Sequence, residues 1–289
     1  DLLDAVLAAG IHISWTGVVH TMRLPCAVAA EDDVAWSDHY GRAMAALEVS
    51  SMSTPDVAEV LELAGRLSRG KADELENPRG CLSQSARAYA MALSIWQTMG
   101  NTKRAEALED VLRELARLGA PIPVGPFDLE RKLGHGGMGE VWLTRHRASA
   151  SLVAVKVITA DNARSRESVD ALSRETYAVA RLQHPNIATV IDTGVLDQAA
   201  QVMSGDHFVA GSPFLAMEYA DGGTVANLSS LDWPTTRDIL MSTLDALAHA
   251  HARRVVHLDV KPDNILLSDG RAKLADFGIA MVLGEDSAT

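Results

Sequence analysis

The sequence Leu133-Gly134-His135-Gly136-Gly137-Met138-Gly139-Glu140-Val141-Trp142 contains three glycines in a G-x-G-x-x-G spacing. Because glycine lacks a Cβ atom, such a backbone can turn tightly and lie close to a polyphosphate, donating N–H groups to its oxygens. The same spacing also opens dinucleotide-binding folds, where the loop runs straight into a helix. Here the residues that follow are β-prone, and a second strand-like run covers residues 152–158. The pattern predicts a β-hairpin folded over a nucleotide.

Lys156 is the one charged residue of the apolar run 152–158. An unpaired ammonium group in a buried strand is costly, which indicates a phosphate partner for this lysine. A helix predicted over about residues 165–182 carries Glu175. A carboxylate on a helix that faces the strand can hold the lysine in position, and the alternative is that Glu175 is an exposed helical glutamate.

A second cluster of polar residues lies between His257 and Leu267, and Asp276-Phe277-Gly278 begins 12 residues after Asn264. Phosphoryl transfer from a magnesium nucleotide needs oxygen ligands for the metal, a carboxylate that orients the attacking hydroxyl, and cations on the phosphates. The residue types of that set are all present in this part of the sequence: Asp259, Lys261, Asn264 and Asp276.

With these motifs in the same order and spacing, residues 127–284 resemble the front half of a Hanks-type (eukaryotic-type) protein kinase and are most similar to the bacterial serine/threonine kinases. Lys261 lies two residues after Asp259, in a D-x-K-P-x-N motif that resembles serine/threonine rather than tyrosine kinases and disfavours a small-molecule kinase. The resemblance implies an α+β fold: an N-lobe of antiparallel sheet plus one helix, and a partial helical C-lobe. It also implies ATP and Mg²⁺ as cofactors and protein hydroxyls as substrates.

The resemblance further implies a role for each catalytic residue. Asp259 would act as the catalytic base, and Lys261 would contact the γ-phosphate. Lys156 would pair with the α- and β-phosphates and with Glu175.

For the nucleotide and the metal, the resemblance implies that Asn264 and Asp276 hold magnesium. Met217 would be the gatekeeper, and the backbone of residues 218–220 would be the hinge that binds adenine. The residues implied to surround the nucleotide are Leu133, Gly134, His135, Gly136, Gly137, Met138, Gly139, Glu140, Val141, Ala154, Lys156, Met217, Glu218, Ala220 and Leu266.

The sequence departs from the family pattern at Leu258, where the family has the arginine of its H-R-D motif. That arginine normally receives a phosphorylated residue of the activation loop through charge-assisted hydrogen bonds, which leucine cannot form. We therefore expect the activity of the full-length protein to be independent of activation-loop phosphorylation. The chain also stops within the activation segment, so we expect this chain alone to be inactive towards protein substrates. A pseudokinase or scaffold, which uses nucleotide binding and helical repeats only for protein interaction, stays open as an alternative.

Residues 1–118 are Ala- and Leu-rich with helical periodicity, which predicts an all-α helical-repeat domain. The motifs Ala-Met-Ala and Ala-Glu-x-Leu-Glu each recur at an offset of 47 positions. Residues 38–118 resemble tetratricopeptide repeats of the kinesin-light-chain type, which implies a concave surface for a protein or peptide ligand. A plain helical bundle is the alternative. The predicted helices cover residues 38–50, 55–69, 82–98 and 102–118.

The breaks between these elements come from turn residues. Gly70 and Gly100-Asn101 are predicted to end two helices, with a polar loop over residues 71–80. Pro-rich residues 119–126 are predicted to link the helical domain to the kinase domain of residues 127–289. A long loop is predicted over residues 196–212.

The composition excludes several classes of protein. A net charge of −12 without a basic cluster argues against binding of nucleic acid or anionic lipid. Two cysteines are too few for a disulfide framework, which favours reduced thiols in the cytoplasm. The longest uncharged stretch, residues 5–22, is too polar for a membrane span, and a membrane anchor beyond Thr289 is left open.

Overall fold

The computed structural model describes residues 42, 54–73, 75–76, 78–136, 139–147, 149, 151–160, 182–268, 270–277 and 281–282. They belong to two compact units. The first, here called the helical unit, comprises Asp1–Val124 and Asp197–Asp206, and the second, the sheet unit, comprises Gly125–Leu196 and His207–Thr289. Two predicted helices lie outside the described residues: 38–50 except Arg42, and 165–182 except Leu182.

The helical unit contains three consecutive helices, α1 (Pro55–Ala72), α2 (Arg79–Thr98) and α3 (Thr102–Arg117). All three confirm predicted helices. The predicted stop at Gly70 is wrong, because α1 continues and buries Ala72. That burial offsets the roughly 1 kcal/mol that a helical glycine costs relative to alanine. The polar loop is therefore shorter than predicted, and Gly100, with φ +71°, marks the turn between α2 and α3 as expected.

Helices α1 and α2 approach closely at Gly65. A Cβ atom at this position would lie 2.8 Å from the Tyr89 ring, so a side chain there would displace the ring. The Ser85 hydroxyl donates a hydrogen bond to the Gly65 carbonyl at 2.9 Å. The core beneath this contact includes the fully buried Leu93 and Leu112. The number of repeats in this unit stays a prediction, since one of the four expected helices is not described.

Helix α4 (Gln198–Met203) also belongs to the helical unit, although it lies far along the chain. Its N-cap is Asp197, whose carboxylate accepts from the Ala200 N–H at 2.8 Å. The prediction of a loop over residues 196–212 is wrong here, because Ala199, Val202 and Met203 join the core of α1–α3 and stabilise the helix. The predicted linker contains a short strand, β1 (Ile122–Val124).

The sheet unit contains five strands that lie in the order β2-β3-β4-β6-β5, each antiparallel to its neighbour. These strands are β2 (Phe127–Gly136), β3 (Gly139–His146), β4 (Leu152–Val157), β5 (Val190–Val195) and β6 (Pro213–Glu218). Before β5, Ile187 forms an isolated parallel bridge with Leu274.

The rest of the sheet unit is built on helix α5 (Trp233–Ala252), which Asp232 caps. The chain continues as β7 (Val255–Val256), β8 (Ile265–Ser268), β9 (Arg271–Leu274) and β10 (Met281–Val282), in which β8 pairs with β9 and β7 with β10.

One side of helix α5 is buried in a second hydrophobic core, which lies in the sheet unit. The buried residues of the helix are Ile239, Ala246 and Ala250. Its other side leaves Leu240 and Leu244 more than half exposed.

No helix among the described residues is both long enough and apolar enough to cross a membrane.

Candidate active site

The predicted glycine-rich hairpin is present as β2 and β3. Gly134 lies opposite Val141, and Gly136 lies opposite Gly139. Residues 137–138, at the tip, lie outside the described residues. The hairpin confirms the strand–turn–strand interpretation of the glycine spacing over the dinucleotide-binding alternative, since no helix follows the loop.

The three glycines meet different local constraints. A Cβ atom at Gly139 would lie 2.0 Å from the Val157 carbonyl oxygen, so only glycine fits at the start of β3, beside the end of β4. A Cβ atom at Gly134 would meet open space, and Leu133, Gly134 and His135 are exposed. Glycine is therefore required by packing at one end of the loop, while at the other end an open backbone is available to a ligand.

Lys156 lies on β4 and is 8% exposed. Its ammonium group forms an ion pair with the Asp276 carboxylate. This contact neutralises the ammonium charge of Lys156, for which the sequence predicts a negatively charged partner. Glu175 lies outside the described residues, so its pairing with Lys156 stays a prediction.

Three of the apolar side chains predicted to surround the nucleotide belong to one small cluster. Ala154 on β4 lies opposite Met217 on β6, and both are buried. Val141 packs against the same cluster. Ala220 is buried, and Leu266 on β8 is half-buried. These surfaces match an apolar ring system better than a charged group.

The predicted hinge is fixed by an ion pair that the sequence analysis missed. Both carboxylate oxygens of Glu218 accept from the Lys273 ammonium at 2.7 Å. The Thr189 N–H also donates to Glu218 at 3.1 Å. Lys273 lies on β9, three residues before Asp276, so this pair ties the hinge to the strand that carries a predicted metal ligand.

The catalytic residues predicted around Asp259 lie together. One carboxylate oxygen of Asp259 accepts from the Lys261 ammonium at 2.8 Å and from the Asn264 amide at 3.1 Å. The same amide donates to the Asp259 carbonyl at 2.8 Å. The hydrogen bond from Lys261 is the main cause that lowers the pKa of the Asp259 carboxyl, because it stabilises the ionised form.

His257 connects this loop to the Asp276 segment, a role that the sequence analysis did not assign. Its Nδ1 accepts from the Asp259 N–H at 3.3 Å, and its Nε2 donates to the Ala275 carbonyl at 3.0 Å. Burial lowers the pKa of His257, so the ring is neutral and one nitrogen can accept while the other donates. The buried Phe277 ring lies 4.4 Å from the imidazole.

Asp276 has a left-handed backbone, with φ 58°. The preceding Ala275 N–H donates to the Asn264 carbonyl at 2.9 Å, which holds the two predicted metal-ligand segments side by side. An amide and a carboxylate supply hard oxygen ligands, and Mg²⁺ in nucleotide sites commonly takes only one or two protein ligands with phosphate and water as the rest. In the described part of the chain, no group of three His, Cys, Asp or Glu side chains forms a metal cage. The donor set thus fits a magnesium ion that is shared with a nucleotide.

Leu258 lies between His257 and Asp259 with φ 62°, and it is 54% exposed. The family arginine position is therefore occupied by an exposed apolar side chain, as the sequence indicates.

Comparison with known proteins agrees with this geometry. Residues 127–289 match the family model described as protein kinase domain. The chain is 37% identical over 165 residues to the serine/threonine-protein kinase PknF of Mycobacterium tuberculosis, which covers 53% of this chain and 32% of that protein. It is 33% identical over 170 residues to the probable serine/threonine-protein kinase PknB of Bifidobacterium longum, covering 57% and 24% respectively.

The serine/threonine-protein kinase PrkC of Bacillus subtilis is 31% identical over 170 residues, covering 57% of this chain and 24% of that protein. The chain spans about a quarter to a third of the length of these relatives. The family model covers more than half of the chain, and the sheet unit has the antiparallel sheet and the helical part of an α+β kinase fold. The chain belongs to the protein kinase family.

Proposed function

We propose that the protein transfers the γ-phosphate of ATP to serine or threonine hydroxyls of protein substrates. The observation that carries the proposal is the hydrogen-bonded cluster of Asp259, Lys261 and Asn264, joined to the Asp276 segment through Ala275. A carboxylate for the hydroxyl, a cation for the phosphate and two oxygen ligands for a metal are what phosphoryl transfer requires.

In this proposal the ionised Asp259 carboxylate, whose pKa is lowered mainly by the hydrogen bond from Lys261, accepts the proton of the attacking hydroxyl. Lys261 carries its ammonium beside the transferring phosphate. Lys156 neutralises the α- and β-phosphates from its buried position on β4. Mg²⁺, held by Asn264 and Asp276 when bound, would neutralise negative charge on the phosphate oxygens.

The experiment is transfer of labelled phosphate by the full-length protein to a generic serine/threonine substrate protein. Asp259→Asn is expected to lower kcat by about 10²- to 10⁴-fold, the usual contribution of a general base. Asp263→Asn is the matched control, because Asp263 is an exposed aspartate of the same loop. Equal transfer by Asp259→Asn and the unmodified protein would contradict the role proposed for Asp259. No transfer by the unmodified protein would favour a binding scaffold over an enzyme.

We infer that the helical unit supplies a second surface, for a protein or peptide partner, and that the protein works in the cytoplasm. The support for the partner surface is the resemblance of residues 38–118 to tetratricopeptide repeats and the close α1–α2 packing at Gly65. The support for the location is the cysteine content, since two cysteines are too few for a disulfide framework. Fractionation of cells that express the full-length protein tests the location, and recovery in the membrane fraction would contradict it.

A further inference from the structure

Glu140 is a buried carboxylate next to the glycine-rich loop. It directly follows Gly139 on β3, and its side chain is only 5% exposed. The resemblance implies that it borders the nucleotide. A buried ionised carboxylate is costly unless hydrogen-bond donors surround it, so its partners show what the side chain does.

Three donors from three places in the sequence converge on Glu140. The Lys132 ammonium donates to Oε1 at 2.6 Å, and the Trp142 indole donates to Oε2 at 3.0 Å. His207 Nε2 lies 3.0 Å from Oε1. Burial alone would raise the pKa of the Glu140 carboxyl, but the hydrogen bonds from Lys132 and His207 outweigh it and hold this pKa below its ordinary value. The carboxylate is therefore ionised and its side-chain oxygens are engaged within the protein.

The partners of Glu140 lie on both strands of the glycine hairpin. Lys132 is on β2, beside an irregularity in the β2–β3 register between Lys132 and Gly134. Trp142 is on β3, two residues beyond Glu140. One carboxylate thus joins the two strands immediately below the loop, at the point where their regular pairing is interrupted.

The third partner, His207, anchors the hairpin to the rest of the sheet unit. The His207 carbonyl accepts from the Ala160 N–H at 2.8 Å. The next residue, Phe208, is fully buried, bridges to Thr159 and lies edge-on to the Trp142 ring at 6.3 Å. Residues 207–208 are therefore fixed to the chain just after β4. The hydrogen bond between His207 and Glu140 connects this fixed segment to the glycine loop.

We propose that Glu140 is a positioning residue, which holds the glycine-rich loop in place over the phosphates of ATP through Lys132, Trp142 and His207. This inference rests on the proposed ATP-dependent function. It assigns the side chain of Glu140 to loop geometry and leaves contact with the nucleotide to the loop backbone. The loss of Glu140 then weakens binding of the phosphates and leaves binding of the adenine ring at the hinge unchanged.

The test compares the affinities of ATP and adenosine, measured by calorimetry with the full chain. Glu140→Gln keeps the shape of the side chain but removes its charge, and we expect ATP affinity to fall by about tenfold with adenosine affinity unchanged. Glu130→Gln is the matched control, since Glu130 pairs with Arg145 at 3.4 Å on the same hairpin, away from the loop. We expect this control to leave both affinities unchanged.

The two affinities separate positioning from general stability. Equal losses of ATP and adenosine binding in Glu140→Gln, or no loss of either, would overturn the inference. If this variant does not fold, His207→Ala removes one donor from a half-exposed position, and it must lower the ATP affinity selectively, by a smaller factor. If the unmodified chain binds ATP no better than adenosine, the proposed function itself fails.

Discussion

Two lysine–aspartate pairs serve the candidate site in different surroundings. The side chain of Lys156, paired with Asp276, is 10% exposed, whereas the side chain of Lys261, paired with Asp259, is 48% exposed. Water screens the second pair far more than the first. The buried lysine therefore stays paired, because its charge needs a partner there. The exposed pair can separate at small cost when a substrate hydroxyl approaches. The same residue types thus form one stable ion pair and one ion pair that can open, in the same site.

Removal of the buried cation, Lys156, is expected to have the largest effect on phosphate transfer. Lys156→Met deletes the phosphate contact and leaves Asp276 without its partner ammonium, so kcat/KM for phosphate transfer by the full-length protein should fall by about 10³-fold. Lys103→Met, which changes an exposed lysine of α3, serves as the control. Transfer at the normal rate by Lys156→Met would show that the buried pair has no part in the chemistry.

Removal of the exposed cation should have a smaller effect, with a distinctive pH signature. Lys261→Met is expected to lower kcat by about 10²-fold. The Lys261 hydrogen bond is the main cause of the lowered pKa of Asp259, so its loss raises that pKa towards the ordinary value. The carboxylate then becomes protonated at a higher pH, and the acidic limb of the pH–rate profile moves to higher pH.

The control for this profile is Lys261→Arg, which retains a positive charge beside Asp259 and should leave the acidic limb near its original position. An acidic limb that stays in place in Lys261→Met would contradict a role for this cation in setting the ionisation of Asp259.

The smallest effect is expected beside the exposed pair, at Leu258. Since its exposed leucine side chain cannot bind a phosphate group, phosphatase treatment of the full-length protein should leave transfer activity unchanged. Leu258→Arg supplies the missing donor and is the informative comparison, because any sensitivity to phosphatase should arise only in this variant. Loss of activity of the unmodified protein after phosphatase treatment would contradict the expectation.

Local spacing carried most of the successful predictions. The glycine hairpin, the strand of Lys156 and helices α1 to α3 follow from patterns within about twenty residues, and short-range patterns are what a sequence shows directly. The cluster of Asp259, Lys261 and Asn264 lies within six consecutive residues, so its side chains come together once the loop forms.

Contacts between distant residues could not be predicted in the same way. The pairs Lys273–Glu218 and His207–Glu140 join residues 55 and 67 positions apart, and only the tertiary fold brings them together. Helix α4 is a different case. Asp197 is a recognisable cap and its apolar residues have helical spacing, but a six-residue helix is stable only through the core that it joins, which the sequence does not reveal.

The place of α4 in the core of the helical unit affects how the protein can be divided. The chain crosses between the two units after Val124, after Leu196 and again after Asp206. A cut in the Pro-rich segment would leave an excised sheet unit with an apolar helix exposed to water and an excised helical unit without three of its core side chains. The two units consequently cannot be separated by a single cut in the chain. An insertion or deletion in residues 197–206 would alter the helical unit, whose other residues end at Val124.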